Sequence, residues 1–139
     1  MAKADFDRDG DVDLIITNYK DRAHYYVNKV AKGHWLQIRL RGRQSNRDGV
    51  GSIIRIRARD DRQMRVISAG DGYASQFSRV AHFGLGENEV IEELEVLWPS
   101  GKKQLFEGVL ADQMIEIDED ATKARVIMAR QTASSPSGR

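Results

Sequence analysis

Leu36-Gln37-Ile38-Arg39-Leu40-Arg41 alternates apolar and polar residues without a break, and Ile54-Arg55-Ile56-Arg57-Ala58-Arg59 repeats the pattern. A period of two sends successive side chains to opposite faces. Each stretch therefore reads as a strand with aliphatic residues on a core and arginines outside. Leu94, Val96 and Trp98 alternate with Glu93 and Glu95, which gives a strand of opposite outer charge. If that strand neighbours an arginine strand, cross-strand ion pairs account for both sets. The competing reading is a patch of Arg39, Arg41, Arg55, Arg57 and Arg59 that holds an anionic polysaccharide or another polyanion.

Turn signals separate these strands at short intervals: Gly42, Ser45-Asn46-Arg47-Asp48-Gly49, Asp60-Asp61, Gly70-Asp71-Gly72, Gly84-Leu85-Gly86 and Pro99-Ser100-Gly101. Short strands so punctuated predict an all-β chain, an antiparallel β-sandwich or barrel over residues 34–118. Its expected core contains Trp35, Leu36, Ile38, Leu40, Ile54, Ile56, Leu94, Val96 and Trp98. A weak helical period appears only around 119–130. It leads into the Ser- and Pro-containing end of the chain, so residues 119–139 read as a flexible tail.

The 139 residues fit one domain with a modest core, and 40% hydrophobic content is that of an ordinary globular protein. The chain has no cysteine, which rules out a disulfide framework and thiolate metal sites. No apolar run is long enough to span a bilayer, and the N-terminus lacks the basic-then-apolar pattern of a signal peptide. A net charge of +1 argues against wholesale nucleic-acid binding. The charge is unevenly spread, however: residues 5–13 carry five Asp against one Arg, and residues 34–62 carry eight Arg against three Asp.

The acidic segment is Asp5-Phe6-Asp7-Arg8-Asp9-Gly10-Asp11-Val12-Asp13. Carboxylates at every second position suit neither a packed core nor an ordinary solvated face, but they suit a hard cation. Asp5, Asp7 and Asp9 can turn inward, Gly10 permits the sharp bend, the carbonyl of Asp11 faces in, and Asp13 closes the loop. Oxygen-only ligands at this density favour Ca²⁺ over softer metals. An EF-hand would place a glutamate at the twelfth position and a helix after it, whereas this chain has Ile16 there. Leu14-Ile15-Ile16-Thr17-Asn18-Tyr19 instead reads as a buried strand, followed by a second strand at His24–Val27. A solvated acidic turn is the plainer alternative.

Other chemistry is sparse. His24, His34 and His82 lack cysteine or close acidic partners at ligand spacing, so each reads as a strand residue satisfied by a local hydrogen bond. Ser75 and Ser100 lie in turns without a nearby base. The short glycine pairs are followed by strand-like sequence rather than by a phosphate-binding helix. No catalytic site is expected.

Asp5–Tyr19 resembles the calcium loop and following strand of an FG-GAP or VCBS repeat, the unit of β-propellers. Residues from about His34 to Ile117 are similar to the ASPIC/UnbV domain. The resemblance is carried by His34-Trp35-Leu36, Ser45-Asn46-Arg47-Asp48-Gly49-Val50-Gly51, Gly70-Asp71-Gly72-Tyr73-Ala74-Ser75-Gln76, His82-Phe83-Gly84-Leu85-Gly86, Trp98-Pro99-Ser100-Gly101 and Ala111-Asp112-Gln113. It implies a module that follows propeller repeats on the exported side of a membrane, with Asp5, Asp7, Asp9, Asp11 and Asp13 as Ca²⁺ ligands and no established catalytic residue. Residues 1–33 would then be part of one blade, and a lone blade cannot bury its own face. The chain thus reads as the C-terminal part of a larger protein.

Three functions compete: a noncatalytic, calcium-stabilised adhesion or binding module with a protein or polysaccharide ligand; an arginine-faced polysaccharide binder; and an accessory protein of a biosynthetic pathway. An unpaired strand edge in residues 14–27 would also invite a homodimer.

Overall fold

The computed structural model describes residues 1–7, 9–29, 33–70 and 78–129. Among them lie eleven strands and no helix: β1 (Ala2–Ala4), β2 (Asp13–Ile16), β3 (His24–Tyr26), β4 (His34–Arg41), β5 (Ile53–Ala58), β6 (Asp61–Val66), β7 (Ala81–Gly86), β8 (Val90–Leu97), β9 (Lys103–Leu110), β10 (Gln113–Asp118) and β11 (Arg125–Ala129). They form a three-stranded sheet, β1-β2-β3, and two four-stranded sheets, β11-β10-β4-β7 and β6-β5-β8-β9, none closed into a barrel.

The alternation in the sequence explains why the two larger sheets pack face to face. Leu36, Ile38 and Leu40 of β4, Phe83 and Leu85 of β7, and Ile115 and Ile117 of β10 form one buried cluster with Ile54 and Ile56 of β5 and Leu94 and Val96 of β8. This is the core of a sandwich. The register between β5 and β8 sets Arg55 opposite Glu95 and Arg57 opposite Glu93. Arg55 donates to Glu95 at 2.8 Å, Arg57 donates to Glu93 at 2.6 Å, and Arg57 also reaches Glu92. Lys103 adds a second contact to Glu95 at 2.6 Å. Hydrogen bonding from Arg57 holds the Glu93 carboxyl below its ordinary value, and the bond from Lys103 does the same for Glu95. Cross-strand pairing accounts for the arginines of β5.

The structure departs from the sequence expectation in four places. β10 runs parallel to β4, with Ile115 beside Ile38 and Ile117 beside Leu40, because the chain crosses from β9 in one sheet to β10 in the other instead of returning by a hairpin. The expected tail is partly strand, since β11 pairs antiparallel with β10 through Gln113–Ala129 and Met114–Met128. The register skips Ile127 of β11 opposite Met114 and Ile115, which breaks the two-residue period within that strand. The N-terminal piece has three strands rather than two, and β2 is paired on both sides, by β1 and β3. Finally, Trp35 is buried but lies outside the sandwich core. Residues 130–139, and all of the 70–76 motif except Gly70, lie outside the described residues.

Candidate metal centre and its seat on the sandwich

The acidic loop joins β1 to β2 and folds around its own carboxylates. Asp13, at the start of β2, is 1% exposed. Its Oδ1 accepts from the Asn28 N–H at 2.9 Å, and its Oδ2 accepts from the Phe6 N–H at 3.0 Å and the Tyr25 hydroxyl at 3.1 Å. Burial alone would raise the Asp13 pKa, but these donors outweigh it and hold the carboxyl below its ordinary value. Asp13 therefore stays ionised and ties the loop, β3 and the segment after β3 together.

Asp5 supplies the second carboxylate. Its Oδ2 accepts from the Gly10 N–H at 3.1 Å and from the Gln37 side-chain amide at 2.7 Å. Its Oδ1 is buried without a hydrogen-bond partner. A buried carboxylate oxygen left unpaired costs its desolvation free energy and calls for a cation or a donor. Asp7 adds a third oxygen, and the three residues each offer one within 4.8 Å of the others. The Asp7 carboxyl is pushed above its ordinary value, first by desolvation and then by the charges of Asp9 and Asp13. The centre is thus electrostatically loaded.

Of the five expected ligands, the structure brings Asp5, Asp7 and Asp13 together. Asp9 and Asp11 contribute no carboxylate to the converging group. The exposed Asp9 instead accepts from the Asp11 N–H at 2.9 Å and closes a local turn. Two donors fixed by the fold were not expected as parts of the site, namely Gln37 and Tyr25. Residue type alone carries no signal for either, because each reaches the loop from a different strand.

Gly10 explains the fate of Trp35. Its φ is +100°, and a Cβ there would lie 2.0 Å from the Trp35 indole. The ring packs flush against the loop backbone. Along β4, Leu36, Ile38 and Leu40 face the core, so Trp35, Gln37, Arg39 and Arg41 face outward. The acidic loop covers the first two, which makes them buried, and leaves Arg39 and Arg41 exposed. Half of one strand face is an interface.

The five arginines do not form one surface. Arg39 and Arg41 lie outside the β11-β10-β4-β7 sheet, Arg55 and Arg57 outside the opposite sheet, and Arg59 in the β5–β6 turn with φ +54°. Among the histidines, His24 stacks on Tyr26 with centroids 6.2 Å apart, and His34 Nδ1 lies 2.7 Å from Asp112 Oδ2. His82 departs from the expectation of local satisfaction, because its Nδ1 is buried with no partner.

A second carboxylate cluster has a structural role. Glu119, fully buried, accepts from the main-chain N–H groups of Arg43 (2.6 Å), Gln44 (2.8 Å) and Ser45 (2.9 Å), and from the hydroxyls of Ser45 (2.8 Å) and Ser100 (2.6 Å). Burial acts to raise its pKa, but the hydrogen bonds from Ser100, Arg43 and Ser45 lower it to about 2. Sequence reading missed Glu119 because a buried acid looks like any surface acid until the loop that enfolds it is known.

An antiparallel acidic-loop sheet seated on an eight-stranded sandwich is the class of structure in hand. Residues 42–124 match the family model described as ASPIC and UnbV, and the chain belongs to that family. Among similar proteins, cartilage acidic protein 1 of Xenopus tropicalis is 32% identical over 105 residues, 73% of this chain and 16% of that protein. Cartilage acidic protein 1 of Mus musculus is 30% identical over 119 residues, 83% and 18% of the two chains. The Homo sapiens protein is 32% identical over 102 residues, 70% and 15%. The chain therefore spans between 15% and 18% of these relatives. No helix among the described residues is long and apolar enough to cross a membrane.

Proposed function

We propose that this chain is a noncatalytic binding or adhesion module of a larger extracellular protein, in which a Ca²⁺ ion held by Asp5, Asp7 and Asp13 fixes an FG-GAP-like end piece onto the ASPIC/UnbV sandwich. The observation that carries this reading is the convergence of the Asp5, Asp7 and Asp13 carboxylates, together with a buried oxygen of Asp5 that has no hydrogen-bond partner. Three negative charges at this separation repel one another unless a cation sits among them, and hard oxygen donors select Ca²⁺. Asp5 supports the coupling, because the carboxylate that faces the metal also receives the hydrogen bond from Gln37 of the sandwich. The relatives are named for cartilage, which supports an extracellular parent.

Calorimetric titration of the full chain should give a dissociation constant on the order of 10⁻⁴–10⁻³ M, the range of extracellular calcium modules. Asp7→Asn removes one converging charge from an exposed position and should weaken binding at least tenfold. Asp9→Ala should have a smaller effect, and Asp21→Asn none. Equal heats for wild type and Asp7→Asn would remove the assignment.

The edge of the small sheet supports association as well. Among the described residues β3 is an edge strand, with Tyr25 and Tyr26 about half exposed, so its outer main-chain groups could accept a strand from a second copy or from a preceding blade. Light scattering at tens of micromolar should show the full chain as a dimer and a chain beginning at Gly33 as a monomer. Two monomers would end the homodimer reading.

A further inference from the structure

Where the small sheet meets the sandwich, a cavity of about 660 Å³ opens between the strand leading into the acidic loop and the outer face of β4, β7 and β10. Its volume is that of an organic ligand rather than of a bare ion, since pockets for such ligands run to about 300–1,000 Å³. Arg39 from β4, Arg65 from β6 and Arg79 just before β7 stand around it, and Met114 and Met128 contribute apolar wall. The arginines differ in how far they are already engaged. Arg79 is paired with Asp48, and Arg65 lies over the Phe83 ring with its guanidinium carbon 5.2 Å from the centroid. Arg39 has no carboxylate partner among the described residues, and its register neighbour Glu116 is taken by Arg125 at 2.6 Å.

His82 is another polar residue of the wall. It stands beside Gln37 in the register of β4 and β7, and it lines the cavity. Its Nδ1 is buried and unpartnered, although buried polar atoms in folded proteins are almost always hydrogen-bonded. Other atoms of the residue line the cavity, while Nδ1 itself is shielded from solvent.

We propose that this cavity binds a small organic carboxylate, with its charged head at Arg39 and Arg65 and an apolar face against Met114 and Met128. Guanidinium groups match a carboxylate geometrically as well as electrostatically, because their donors form a rigid fork. The thioether walls accept either the CH face of a sugar ring or an aromatic ring. The carboxylate could therefore come from a uronic-acid glycan or from an aromatic acid. The site adjoins the proposed Ca²⁺ ligand set, since Asp5 lines one end of it, and it differs from the outer face of β5, whose arginines already hold glutamates.

The test is a titration of the full chain with a glucuronate-containing disaccharide and, separately, with phenylacetate, each against its neutral methyl ester, followed by calorimetry and by the methionine methyl resonances. At least one acid should bind at least tenfold more tightly than its ester and should shift the Met114 and Met128 methyls. The acid that binds tells glycan from aromatic source. Arg39→Met, at an exposed position, should lower that affinity at least tenfold and leave the melting temperature unchanged. Arg57→Met, on the opposite face, should bind as wild type does. Equal binding of acid and ester, no binding of either acid, or loss of binding in Arg57→Met but not in Arg39→Met would overturn the proposal.

Discussion

Glu119→Ala is expected to lower stability by roughly 3–5 kcal/mol, since each buried donor left without its acceptor costs about 1–3 kcal/mol and the donors can relax only in part. The substitution leaves three main-chain N–H groups and two hydroxyls without an acceptor, and the loop from Gly42 to Ser45 loses the group that organises it. Glu119→Gln separates charge from shape, since it fills the same volume with a neutral and partly mismatched acceptor. The pH dependence follows from the pKa of about 2 against an ordinary 4.5. A group whose pKa is depressed on folding stabilises the native state above its unfolded pKa. That contribution is lost as pH falls through the folded value, so it disappears between about 4.5 and 2. The displacement is worth roughly 3 kcal/mol at neutral pH. Urea titrations at pH 7 and pH 3 should show the gap between wild type and Glu119→Gln narrowing as the solution becomes acid. A gap that does not change with pH would mean that the charge is not what the loop binds.

Trp98→Ala should be comparably damaging, at about 3–5 kcal/mol. The ring is 2% exposed and fills one end of the core just past β8. Its Nε1–H donates to Gln104 Oε1 at 2.6 Å, and the Gln104 amide in turn donates to the carbonyls of Asp118 (3.1 Å), Glu119 (3.0 Å) and Ala121 (2.7 Å). Truncation therefore opens a cavity and frees the amide that holds the chain after β10. Trp98→Phe keeps most of the volume and removes only the donor, so its cost should fall to about 1–3 kcal/mol. If Trp98→Ala melts within a few degrees of wild type, the indole does not support the core as described.

The alternating strands were readable from sequence because period-two patterning records which face of a strand meets the core. That pattern also suggested that an arginine strand and the glutamate strand could be neighbours, and the register then sets Arg55 opposite Glu95 and Arg57 opposite Glu93. It could not say what lies over an outer face. Trp35 and Gln37 sit on the solvent side of β4 by alternation and are buried only because a loop some thirty residues earlier folds back on them. The parallel pairing of β10 with β4 joins segments far apart in sequence and leaves no local signature. In the acidic loop, the two-residue spacing marked Asp5, Asp7, Asp9, Asp11 and Asp13 as candidate ligands, and the structure brings Asp5, Asp7 and Asp13 together. The turning away of Asp9 was not legible, because the choice between facing the centre and closing its own turn is made by loop conformation. Glu119 shows the limit most plainly, since its burial depends on donors contributed from residues 43–45 and from Ser100.

The position of β4 has a mechanical consequence. The segment after β3 delivers the chain into the sandwich at His34, so a pull on the N-terminal sheet enters the sandwich there. β4 is an interior strand, bonded to β10 on one side and to β7 on the other. It cannot be peeled one hydrogen bond at a time, as an edge strand can. Tension along it must shear both ladders together, while the Asp5–Gln37 bond and the Trp35–Gly10 contact carry part of the load across the junction. Under a pull from the N-terminal side, the joint in front of the sandwich is therefore expected to yield before the sandwich does.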